Sequence, residues 1–173
     1  MDSIALLESK NKIIRRAILA GLMLLTFVFQ NTGILFPAPA GIHALLLLPL
    51  TVCIGMFERE FAGLFFGLFA GAMMDAFSAN TICYHSIIFT LFGFAAGALT
   101  TYVMRNNFLC ALILSAVFTF IHNTVYFIIY CAFDGGTGHA AVYFRYFFAA
   151  VFYTVLFTPV YYFLIRALTK QLK

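Results

Sequence analysis

From Ala17 to Ile165 the chain is a succession of apolar runs, each close to 20 residues, parted by polar stretches only a few residues long. About 20 apolar residues cross the roughly 30 Å of a bilayer's hydrocarbon. Lipid offers the backbone no hydrogen-bond partner, so runs of this kind are helices. The period-2 alternation that a membrane barrel requires is absent. Composition agrees: 64% of the 173 residues are hydrophobic and 9% are charged, too little polar surface for a soluble domain.

The expected architecture is an all-α integral membrane protein, a six-helix transmembrane bundle. Its spans are Ala17–Phe36, Ala40–Phe57, Phe61–Phe77, His85–Met104, Phe108–Phe133 and Ala141–Ile165. A basic segment, residues 1–16, precedes the membrane domain of residues 17–165, and a basic tail, 166–173, follows it. The connections, among them Glu58-Arg59-Glu60 and Asp134-Gly-Gly-Thr-Gly138, are too short to hold a soluble domain. Ala38-Pro39-Ala40 after a basic and apolar start resembles a signal-peptide cleavage site, but the apolar run is too long for that role. Lys10, Lys12, Arg15, Arg16, Arg59, Arg105, Arg166, Lys170 and Lys173 all fall on one side of a six-span arrangement. The positive-inside rule makes that side, with both termini, cytoplasmic, and the basic tails are expected to touch anionic lipid headgroups. The location is the plasma membrane, multi-pass, with no nucleic-acid partner.

Polar residues inside the spans carry the functional expectation. Gln30, Asp75 and His122 each come out about 20 Å above the cytoplasmic side, at 1.5 Å per helical residue. Asn123 follows His122, while His43, His85 and Arg145 stand near the outer ends of descending spans. These residues predict a partner-binding site or a polar cleft that faces outward. Asp75 is costly in lipid and lies in the last turn of its helix, where the macrodipole disfavours an anion. Either it is protonated or a cation or donor comes to it, with Arg145 the leading candidate and His122 and His85 next.

Gly63, Gly67, Gly71 and Asp75 recur every four residues and stack along one helix side. Gly93 and Gly97 repeat the spacing on the next span. Small residues allow the close backbone approach on which helix pairing in lipid relies. The stripes are a helix-packing groove, either filled within the bundle or, for one of them, left for a partner's helix.

Other signals are weak. Cys53, Cys83, Cys110 and Cys131 form no CxxC pair and have no histidine at metal spacing, so neither a metal nor a cofactor is expected. Cys83 and Cys131 both fall on the outer side, where a bridge is conceivable and free thiols are the plainer expectation. No catalytic arrangement of Ser, His and Asp or of paired carboxylates stands out, so no enzyme is expected. Glu58-Arg59-Glu60 reads as solvated cap chemistry or as a docking contact.

From Gln30 to Arg105 the chain resembles the rod shape-determining proteins of the MreD family. The shared features are Gln30, an apolar second span, Gly63-x3-Gly67-x3-Gly71-x3-Asp75 after a charged turn, and Gly93 with Gly97 in the fourth span. It departs from the family at Pro39-Ala-Gly-Ile-His43, where Pro-Asp or Pro-Asn is common, and at Cys83, where glycine is common. The resemblance implies a non-enzymatic member of the bacterial cell-elongation machinery, which serves lateral peptidoglycan synthesis. Its implied partners are an MreC-type single-span periplasmic scaffold, an actin-like cytoskeletal filament and wall-synthesis enzymes. The family's topology is similar to the substrate-binding subunits of energy-coupling-factor transporters, so a vitamin-capturing subunit is the rival expectation.

Overall fold

The computed structural model describes the backbone of residues 2–32, 45–78, 83–130 and 139–172, and the side chains of 10–32, 45–78, 83–129, 150–152 and 154–172. These residues form five helices: α1 Asp2–Thr32, α2 Leu47–Phe77, α3 Tyr84–Tyr102, α4 Phe108–Tyr130 and α5 His139–Gln171. Each contains a segment long and apolar enough to cross a membrane.

The count is five rather than the six expected, because the second and third expected spans are joined in α2. Only Arg59, with φ 72° and ψ 176°, departs from helical geometry within its 31 residues. No loop intervenes, so helical hydrogen bonding resumes at once on either side. The single break nonetheless turns the chain back on itself. A Cβ built on Gly63 would lie 2.9 Å from the Gly55 Cα, whereas eight residues of straight helix separate Cα atoms by about 12 Å. At the far end Leu47 and Met74 both bond Gln30, so the two arms, residues 47–58 and 60–77, lie side by side.

The first arm is the centre of the bundle. Residues 46–56 are buried all round, as a helix apolar on every side must be. Leu19, Met23 and Phe27 of α1 join this core, as do Phe89 and Phe92 of α3 and Leu114 and Phe118 of α4. Phe92 and Phe118 stack with centroids 4.5 Å apart. The outward faces are equally apolar: Phe65 is 67% exposed, Ile87 65% and Leu109 69%. An apolar exterior of this kind is the face a bundle turns to lipid.

One end of the bundle gathers the α2 hairpin tip, the basic stretch of α1, the turn between α3 and α4, and the last turns of α5. Arg15 pairs with Glu58, and Arg16 lies 3.5 Å from the same carboxylate. Asn106 donates its side-chain amide to the Met56 carbonyl (3.1 Å), which the break at Arg59 deprives of its helical partner. Tyr162 donates to the Asn106 carbonyl at 3.4 Å. Glu58 is therefore buried rather than a solvated cap, because two arginines of α1 hold it. Tyr161 and Tyr162 are likewise packed into the core at this end.

A polar knot at the opposite end

Helix starts leave N–H groups without intrahelical partners. Neither α2 nor α3 satisfies them with its own cap residue: Leu46 and Cys83 make no side-chain cap hydrogen bond. Neighbouring helices supply what is missing. Gln30 of α1 accepts from the Leu47 N–H at 3.1 Å, and its amide points at the Met74 sulfur, also 3.1 Å away. Asp75 accepts four hydrogen bonds from the start of α3: the His85 N–H (3.0 Å), the His85 Nδ1 (2.9 Å), the Ser86 N–H (2.8 Å) and the Ser86 hydroxyl (2.6 Å). The carboxylate thus trades the unfavourable C-terminal dipole of its own helix for the favourable N-terminal dipole of the next. A side chain that looked misplaced on α2 is well placed for α3.

The network continues sideways. The His85 and His122 rings lie 5.4 Å apart, Tyr84 donates its hydroxyl to the His122 carbonyl at 2.8 Å, and His122 meets the Asn123 side chain at 3.2 Å. His85 and His122 are buried, at 6% and 3% exposure. The structure therefore brings together Asp75, His85, His122 and Asn123, with Gln30 joined through Met74. Their polar atoms largely meet one another, with the buried His122 Nε2 left without a hydrogen-bond partner among the described residues. The donor to Asp75 is His85 with Ser86, not His122. The Arg145 side chain, His43, Cys131 and the Asp134–Gly138 turn lie outside the described residues. Ser86 and Tyr84 are the members that sequence reasoning missed. The signal for Ser86 was present: a hydroxyl residue in the first turn of the helix that follows an intramembrane acid.

The glycine stripes occupy each other. A Cβ on Gly63 would strike the Gly93 carbonyl, one on Gly67 the Phe89 carbonyl and one on Gly71 the backbone of His85 and Ser86. From the other side, a Cβ on Gly93 would strike the Gly63 carbonyl, and one on Gly97 would come 2.5 Å from the Glu60 nitrogen. Steps of four on α2 run against steps of four on α3, so the second arm and α3 are antiparallel and backbone to backbone. Asp75 is the next step of that stripe and reaches the point where α3 begins. Of the two alternatives for the stripes, this geometry is that of grooves filled within the bundle, each stripe occupying the other. Among the described residues no cluster of His, Cys, Asp and Glu is arranged to hold a metal ion.

A family model described as rod shape-determining protein MreD matches residues 10–167. The chain belongs to the MreD family. It matches no curated protein and no solved structure, so the expected similarity to vitamin-binding transporter subunits gains no support. Membership assigns the chain a role in determining rod shape and, with its five apolar helices, a place among multi-pass bacterial membrane proteins. The match takes in both the glycine stripes and the polar knot.

Proposed function

We propose that this MreD-family protein is a non-enzymatic scaffold of the bacterial cell-elongation machinery, holding partner transmembrane segments during lateral wall synthesis. Both termini and the α2 hairpin tip are cytoplasmic in this reading, and the chain crosses six times, with the polar knot in the outer half. The basic residues gathered at the hairpin end support that orientation.

The observation that carries the reading is how the polar and small residues are spent. Gln30, Asp75 and the five glycines join helices of this chain to each other, which suits a rigid support better than a moving carrier. A partner then has to use another face. The flank of the same helix pair offers an apolar groove of about 470 Å³, lined by Leu64, Leu68, Ile87, Thr90, Leu91 and Phe94. Thr90, with Ser86 one turn before it, keeps the groove floor small, as close helix approach in lipid requires. We place the single-span segment of an MreC-type scaffold there. The actin-like filament and the wall-synthesis enzymes reach the assembly from its two aqueous sides.

Filling the groove tests this. Thr90→Trp is expected to leave the purified protein's melting temperature near wild type, abolish copurification with the single-span scaffold, and round the cells. Normal rod shape with normal copurification in a folded Thr90→Trp protein contradicts the reading.

A further inference from the structure

Arg59 stands exposed at the tip of the α2 hairpin in a backbone conformation, φ 72° and ψ 176°, that is essentially reserved for glycine. Glycine would make the same turn without strain. An arginine held there points to a use for its side chain.

The acids on either side of it are already engaged. Glu58 is held by Arg15 and Arg16. Glu60 accepts hydroxyl hydrogen bonds from Thr101 (3.2 Å) and Tyr102 (3.3 Å). Arg59 forms no hydrogen bond or ion pair among the described residues. A second exposed cation, Arg105, belongs to the neighbouring turn, which packs against the hairpin through Asn106 and Met56. The tip therefore presents two exposed guanidinium groups, and the one acid acting on Arg59 among the described residues, Glu60, is already held by Thr101 and Tyr102.

The surroundings are those of a membrane interface. Phe61 is 70% exposed, Tyr102 75% and Val103 71%. Apolar and aromatic side chains beside cations mark the layer where hydrocarbon meets headgroups, and long basic side chains reach from it toward the phosphates. A guanidinium matches phosphate oxygens with two parallel hydrogen bonds.

We propose that Arg59, together with Arg105, binds the headgroup phosphate of an anionic phospholipid at this end of the bundle, and that the strained turn is kept because it presents that guanidinium. The bound lipid clamps the hairpin tip to the turn after α3 and so stiffens the end of the molecule that faces the filament.

The experiment uses the full chain in a neutral detergent, with phosphatidylglycerol or phosphatidylcholine added, and reads thermal unfolding and lipid retention by native mass spectrometry. Arg59→Gly is expected to melt above wild type without lipid, since the strain is gone. It is also expected to hold phosphatidylglycerol about fivefold more weakly, the equivalent of the roughly 1 kcal/mol a basic residue gains at an anionic surface. Arg59→Gln, which keeps a side chain at the strained position, is expected to lose the same lipid affinity without gaining stability. Wild type is expected to prefer phosphatidylglycerol to phosphatidylcholine, and inorganic phosphate is expected not to compete. Equal retention of phosphatidylglycerol by wild type and both variants, or displacement by inorganic phosphate, overturns the proposal. So does an Arg59→Gly protein that melts below wild type.

Discussion

Cys83 shows how a departure from a family pattern acquires a physical meaning. It begins α3 with φ 59°, in the left-handed region that a Cβ makes unfavourable by roughly 1–2 kcal/mol. The resemblance puts glycine at this point, and the backbone shows why: glycine adopts that φ freely. Cys83→Gly is expected to raise stability by about 1 kcal/mol, visible as a higher melting temperature, with the Asp75 hydrogen bonds intact. An unchanged or lower melting temperature would mean that the thiol contributes something the backbone does not show. Asp75 gives the complementary lesson. Sequence called for a donor to it, but weighed only charged or titratable side chains as its partner. Half of its hydrogen bonds come from backbone N–H groups, which no residue letter advertises.

Among the elements, α2 and α3 are joined by backbone approach rather than by side-chain interlock. The four-residue spacing made both glycine stripes legible. Which stripe met which was not, because a pairing register depends on where the connecting turn lets α3 begin. Gly67 and Gly21 make a controlled pair. A Cβ on Gly67 strikes the Phe89 backbone, while one on Gly21 of α1 meets nothing within 4 Å. Gly67→Ala is expected to cost about 1–3 kcal/mol, as overpacking of a tight interface does. Gly21→Ala is expected to be neutral or to stabilise by up to about 1 kcal/mol through its helix preference. Comparable melting temperatures for the two variants would mean that α2 and α3 can part without loss. The break in α2 was legible as a charged turn, but its economy was not. Nothing in Glu58-Arg59-Glu60 announces that one residue in a glycine-type conformation reverses the chain, nor that Glu58 turns inward to Arg15 and Arg16.

Over the whole molecule, hydropathy alone specified an all-helical membrane protein, and the family match agrees with the residues that carried the resemblance. The polar residues were legible as a set, and their partners were not. They were expected to form an outward cleft, and among the described residues Gln30 and Asp75 cap the starts of α2 and α3 from neighbouring helices. Depth follows from counting residues along one helix. Partnership follows from the helix beside it, which counting does not reveal. In the proposed function the protein is a support whose rigidity is internal, leaving its apolar flanks for other membrane segments.

Hydrogen–deuterium exchange of the first turn of α3, followed by mass spectrometry on the isolated protein, tests that account most directly. Slow exchange at His85 and Ser86 in the wild type without any partner, and fast exchange in Asp75→Ala, is the predicted result. Fast exchange in the isolated wild type, slowing only when a partner's transmembrane segment is added, would contradict it, since the acid would then be reserved for another chain.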